Sequence, residues 1–525
     1  MCADNADTTG EAGGKRRRRG GGRSGGASRR PIVEQPPFQQ YRLSYPPTPI
    51  VSTDELERVH TSALEILEEI GVEILHPEVR AKLDAAGADV DADGARVRFD
   101  RGLVDWAIDQ APSSFTLHAR DPNKTLRFEA GTTAFSSVAS TPNCADMDGG
   151  RREGNHADFR NFIRLGQMLN TVQLWGGYPT EPTDIHASIR HLDAIHDILT
   201  LSDKTLHAYS LGKERNRDAL EMTRIARGID DATLDREPSI YTVINASSPL
   251  RLDTPMLQGI LEFAGRNQPI VLTPFTLAGA MAPVTIAGAV AQQNAEALAG
   301  LVVTQVVRPG APFIYGGFTS NVDMRSGSPA FGTPEAMKAM LLGGQLARRY
   351  NLPFRASNVN AANALDAQAA YESVFSLWGA IQGGTNLVFH GAGWLEGGLC
   401  ASFEKMVLDA DLLGMVGEFL TPLDTSPDGL AMDAIREVGP GGHYFATAHT
   451  QARYKSAFFS PMISDWRNHE AWTEAGRPEA IHKANRLYKT LLEHYEQPAM
   501  DPAVAEELSD FAARRKREGG APTDF

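Results

Sequence analysis

A closed (β/α)8 barrel is the fold this sequence predicts, on three observations. Between Thr132 and about Leu420 eight short apolar runs recur, each followed by a stretch with helical patterning. Most of these runs are continuously β-branched or aromatic, as strands buried on both faces are. The helical stretches also carry start signals: Thr333 precedes Pro334 and Glu335, which puts proline at the favoured first helical position.

The eight strands are expected at 134–140, 172–178, 205–211, 240–246, 270–276, 313–320, 354–360 and 387–393. Amphipathic segments at 183–201, 215–229, 333–350 and 365–383 supply helices between them. The first strand is followed by a long loop rather than a short one. A barrel of this kind occupies 132–420 and leaves three flanking parts. Residues 1–30 hold eight Lys or Arg against Asp4, Asp7 and Glu11, so the remainder carries a net −19 within a total of −14. Such a Gly, Ser and Arg tail, 1–37, cannot bury a core and is expected to be disordered. An RNA or acidic partner is one use for it, and a solvated tail is the favoured reading.

Residues 38–131 are expected to form an α+β extension over the bottom or side of the barrel. Prolines in 37–49 mark an extended arm, Ser52 and Glu55 stand in capping-box spacing before a helix at 52–70, and 77–86 is a second helix. Runs 115–119 and 125–128 flank the Asp121-Pro122-Asn123 turn as a hairpin. Residues 421–525 read as a C-terminal helical cap, with helices at 478–495 and 502–515.

Composition narrows the function. No apolar run reaches the roughly 18 to 20 residues of a membrane helix, and the start lacks the apolar core of a secretory signal. Cys2, Cys144 and Cys400 stand far apart, which suits a reducing cytoplasm and no disulfide scaffold. The acidic body argues against nucleic acid as the main partner, and a homo-oligomer is expected. GYPTEP, YGGFTS and HGAGWLEGG contain neither a P-loop nor a dinucleotide fingerprint, and no serine nucleophile elbow occurs. His443 and His449 have no matching carboxylates, so no metal site is expected.

Barrel enzymes carry their chemistry at the carboxyl ends of the strands. Those positions offer Trp175, Tyr178, His207, Tyr209, Asn245, Phe275, Tyr315, Phe318, His390 and Trp394. A single strand-end aromatic is more often packing, but several converging ones are how proteins hold quaternary ammonium groups, which are drawn to ring faces. Tyr315, Phe318, His390 and Trp394 are expected as pocket wall, with Phe275, Trp175 and Tyr178 behind them. Asn245 and His390 would orient a substrate carboxylate, while Glu396 or Glu404 would tune the field at the ammonium. Glu396 and Glu404 are more often helix-start or solvated acids, and Asp366 and Gln368 read as helix caps.

The segments FIYGGFTSNVDMRSGSPAFGTPEAMKAMLLGGQLARRYNLPF, SNVNAANALDAQAAYES and NLVFHGAGWLEGGLCASFEKMVLDADLL resemble the trimethylamine methyltransferase family of corrinoid-dependent barrel enzymes. The likeness runs from about Ser52 to about Tyr495. In the archaeal members pyrrolysine precedes the DxQ motif; placed by Asp366 and Gln368, that position falls near Val359, within one residue. This chain therefore resembles the non-pyrrolysine branch, in which a quaternary amine such as glycine betaine is demethylated. The resemblance implies that no cofactor is bound directly and that the methyl acceptor is the Co(I) of a corrinoid on a small partner protein. A quaternary nitrogen leaves as a neutral tertiary amine without a proton, so a cage and an in-line approach suffice. The alternatives are a barrel lyase or hydrolase using His390 and Glu396 as acid and base, and a non-catalytic amine-binding protein.

Overall fold

Parallel strands form a ring. The computed structural model describes residues 32–92 and 94–523, so the basic tail lies outside the described residues up to residue 31. The barrel strands are β1 (Thr132–Ser137), β2 (Leu206–His207), β3 (Ile240–Ala246), β4 (Ile270–Pro274), β5 (Phe313–Gly316), β6 (Phe354–Ser357) and β7 (Leu387–Ala392). Each pairs in parallel with the next from β2 to β7, and β7 pairs in parallel with β1. Between β1 and β2 the eighth place is held by Leu174, which bridges Ser136 on one side and Thr205 on the other. The strand expected at 172–178 is thus cut to one bridge residue. Gln173 explains part of this: its side-chain oxygen accepts from Phe135 N at 2.6 Å in place of a backbone carbonyl. Gly176 and Gly177 follow at once, and Gly177 turns to φ 130°.

Alternation along the strands sorts the interior into layers. Leu174, Tyr241, Val271, Ile314 and Leu387 form the lowest. Two residues on, Val243, Thr273 and Phe389 face the same way, and two further on so do Asn245 and Phe275. The lowest layer is closed by the hairpin Phe115–Leu117 and Leu126–Phe128. Its Phe115 and Phe128 stack at 5.1 Å and pack into the barrel core. A hydrophobic plug there leaves the carboxyl-end mouth as the open end.

The capping box of Ser52 and Glu55 is formed, and the helix Thr53–Glu65 it opens packs on Ile286–Val307. The helix Arg101–Gln110 covers the same 22-residue helix, which explains why that helix is apolar nearly all round. The extension therefore covers both bottom and side. Helix Arg190–Leu201 starts seven residues later than the patterning suggests, because 183–189 form hydrogen-bonded turns. The expected tail to residue 37 is anchored earlier, where Gln35 bonds the Met168 carbonyl and the Asn170 amide. Helix Ala480–Glu493 packs on Phe403–Leu420, and Pro502–Arg517 on Arg190–Leu201 and Lys213–Arg227. No helix of the described residues is long and apolar enough to cross a membrane.

A second small sheet stands over the mouth. Trp394–Leu395, Cys400–Ser402, Asn143–Asp146 and Gly150–Glu153 pair in that order. It fills the long loop after β1 and ties the β1 and β7 loops together.

Candidate active site

The barrel mouth opens into a cavity of about 560 Å3. Its aromatic wall comes from the ends of three strands and the loops after them. Phe275 and Phe318 rings lie 5.1 Å apart, Phe318 and Phe331 5.6 Å, and Phe331 and Trp394 meet edge to face at 6.3 Å. The His390 ring lies tilted against Trp394, with centroids 4.1 Å apart. Asn245 also faces the cavity, and its side chain has no hydrogen-bond partner among the described residues.

His390 sits in the left-handed region, φ 57°, which is unusual for a residue with a side chain. Ser136 accepts from its backbone amide at 3.1 Å, while Nδ1 is buried without a partner. Strain of this kind concentrates where a fold holds a functional side chain in place. Burial, then the positive field of Arg355, holds the His390 imidazole well below its ordinary pKa. His207 on β2 also faces the cavity and is pushed down to about 3 by burial. Its ring is fully engaged: Nδ1 donates to the Gly176 carbonyl at 2.8 Å and Nε2 accepts from Val243 N at 3.0 Å. Both histidines are therefore neutral at pH 7.

Several residues considered for the site lie outside the main cavity. Tyr315 points out of the barrel, where its hydroxyl donates to Asn294 at 2.9 Å and its ring packs on Tyr350. Ile314 occupies the inward position on β5, and one residue of offset reverses the face. Trp175 is buried beneath the helix His156–Met168 and donates to Ser202 at 2.8 Å. Tyr178 packs edge-on to Phe159 and Tyr209 and lines a separate cavity of about 170 Å3. Val359 lies behind Phe318 and Phe331, away from the main cavity, and its carbonyl accepts from Ser376. Glu396 is bound through both oxygens by Arg151 Nε at 3.0 and 3.1 Å and does not line the main cavity. Glu404 accepts from the Met147 amide and Asn485 and so braces the loop after β1. Asp366 is a helix cap, accepting from the amides of Gln368 and Ala369. The acid and base that a lyase would need, His390 and Glu396, are thus not a working pair.

Sequence reasoning missed Arg355, Phe331, Phe389 and Glu181, all of which line the cavity. Arg355 had a visible signal, since it is the sole Asp, Glu, Lys or Arg inside the eight strand runs. Glu181 is pushed up to about 6 by burial, opposed by Arg190 at 3.7 Å. No group of three or more His, Cys, Asp or Glu among the described residues is placed to hold a metal. Burial pushes the Cys400 thiol up to about 12 and Cys144 higher still.

Comparison with known proteins decides what kind of barrel this is. A family profile described as trimethylamine methyltransferase matches residues 16–520. Glycine betaine methyltransferase of Desulfitobacterium hafniense is 34% identical over 90% of this chain and 98% of its own. The chain belongs to the trimethylamine methyltransferase family. A trimethylamine methyltransferase of Methanosarcina mazei is 27% identical over 90% of this chain and 96% of its own. Among solved structures, the Methanosarcina barkeri monomethylamine methyltransferase superposes with a TM-score of 0.50 at 12% identity, covering 86% of this chain and 90% of the other. At that identity the match speaks for the barrel alone. Family membership makes the chain a methyltransferase and sets the lyase and hydrolase readings aside.

Proposed function

We propose that this methyltransferase takes a methyl group from a quaternary amine, of which glycine betaine is the type, and delivers it to the reduced corrinoid of a small partner protein. The observation that carries this reading is the ring-lined cavity flanked by neutral histidines. Faces of Phe275, Phe318, Phe331 and Trp394 attract an ammonium that offers no N–H to bond. When the C–N bond breaks, both electrons stay on nitrogen and a neutral tertiary amine departs, so no proton donor is required. Neutral His390 and His207 suit that chemistry; a tertiary amine such as trimethylamine leaves only when it is protonated or otherwise activated, and neither histidine holds a proton to supply. Positioning the methyl toward the open mouth is what the walls contribute.

The reduced corrinoid supplies a two-electron nucleophile that accepts the methyl. Its carrier must reach the mouth, and exposed apolar side chains surround it there: Met147, Leu211, Val284, Met324 and Leu399, on the loops after five different strand positions. Apolar rims of this sort suit a protein partner. The open end, rather than the hairpin-plugged end, is where a bulky ring must approach.

Mixing the protein with a reduced corrinoid protein and a panel of methylated amines, and following the cobalt absorbance, tests the assignment. Turnover with a quaternary amine and not with trimethylamine is expected. Equal turnover with trimethylamine would overturn the quaternary preference, and amine binding with no transfer would make this a binding protein.

A further inference from the structure

The wall of the cavity holds a full charge that the chain itself does not answer. Arg355 projects inward from β6 and is 2% exposed. Its guanidinium Nη1 donates to the Gly317 carbonyl at 3.1 Å, while Nε is buried with no partner. Among the described residues no carboxylate forms an ion pair with it. Phe318 and Phe389 stand 5.2 and 4.8 Å from its Cζ and hold the side chain in place. Other buried cations of this protein are provided for: Lys405 pairs with Asp409, and Lys204 donates to the carbonyls of Gly166, Leu169 and Val172. Burial pulls Arg355 down to about 9, which leaves it charged at neutral pH.

Taking a guanidinium out of water is costly unless an anion and hydrogen bonds replace the water. Here a ligand can supply the replacement, because Arg355 lines the cavity. A guanidinium is a planar fork that matches a carboxylate through two parallel hydrogen bonds.

We propose that Arg355 binds the carboxylate of the substrate, so that the site takes quaternary ammonium carboxylates and rejects quaternary amines that lack the acid group. The proposal rests on the quaternary-amine reading above and deepens it. Two effects act together. A carboxylate gains the bidentate contact, and a ligand that is only a cation meets an uncompensated positive charge in a low-dielectric chamber. Phe318 contributes to both ends, since its ring lies beside Arg355 and in the cage with Phe275 and Trp394.

Calorimetric titration of the full-length protein with glycine betaine, choline and tetramethylammonium tests this without any variant. At least about a tenfold preference for glycine betaine over both cations is expected, given what a site loses when its buried polar group is left unpaired. Arg355→Gln should erase that preference by weakening glycine betaine while choline holds or improves; Arg355→Lys, which keeps the charge, should retain part of it. Equal affinity of the wild-type protein for all three ligands would overturn the proposal and leave the quaternary-amine reading standing, as would a preference that survives in Arg355→Gln. Failure of all three to bind would overturn both.

Discussion

Tyr315 and Phe318 stand three residues apart in one glycine-containing run, yet they serve opposite sides of the barrel wall. Tyr315→Ala should therefore cost about 3–5 kcal/mol of stability, as large-to-small core changes do. Phe318→Ala should instead reduce amine affinity roughly tenfold, the scale of a desolvated cation–π contact. Chemical denaturation and calorimetry on the two variants would separate these effects. Glu181 makes a second residue-scale prediction. Its folded pKa of about 6 lies above the unfolded value, so the folded state holds more protons between about pH 4.5 and 6, and stability falls as pH rises through that window. Glu181→Gln should remove the cost and stabilise the protein at pH 7 by about 1–2 kcal/mol. Because a carboxylate facing the cavity favours a cation, amine affinity of the wild-type protein should drop as pH falls below about 6. An affinity that stays flat from pH 7 to pH 5 would remove Glu181 from the binding wall.

At the scale of elements, the loop from Gly393 to Gly398 sets the position of Trp394. Gly393 N donates to Asp409 at 2.8 Å, and Asn360 holds both ends of the tryptophan, donating to its carbonyl at 3.0 Å and accepting from Nε1 at 3.1 Å through its own carbonyl. Lys405 pairs with Asp409 in the helix that follows, so an element outside the barrel wall steadies a residue inside the mouth. Gly398 packs directly against the indole: a Cβ there would lie 2.5 Å from Trp394 Cη2, and its φ of +100° favours glycine. Gly398→Ala should destabilise the protein by about 1–3 kcal/mol and weaken amine binding as well. Thermal unfolding with and without amine measures both, and unchanged binding in the variant would show that the loop does not position the ring.

Across the whole molecule the two ends of the barrel are treated differently. The hairpin with Phe115 and Phe128 fills the amino-end, whereas the carboxyl-end is left open and rimmed with exposed apolar side chains. Substituting Glu at Val284 and Met324, which are 69% and 70% exposed, should slow methyl delivery to a corrinoid partner by about tenfold or more while amine affinity holds. Comparing single-turnover transfer with amine titration on that double variant checks the assignment. Equal transfer rates would place the partner's docking surface elsewhere.

What a reader of the chain alone could obtain follows from local rules. Short continuous apolar runs, caps such as Ser52 with Glu55, and turn chemistry at Asp121-Pro122-Asn123 act over a few residues, so the barrel, the lead-in helix and the hairpin were all legible. Phe275, Phe318, His390, Trp394 and Asn245 were likewise found as cavity residues, because strand ends in this architecture point to the mouth. The inward or outward sense of Tyr315, the outward burial of Trp175 and the displacement of Val359 depend on register and shear, which are properties of strands meeting one another. Glu396 depends on Arg151, some 245 residues away in the chain, and Arg355 counts as unpaired only once every surrounding element is in place. Local sequence carries periodicity and propensity; whether a charge is answered or a ring faces a cavity is decided by long-range contacts that form only in the folded protein.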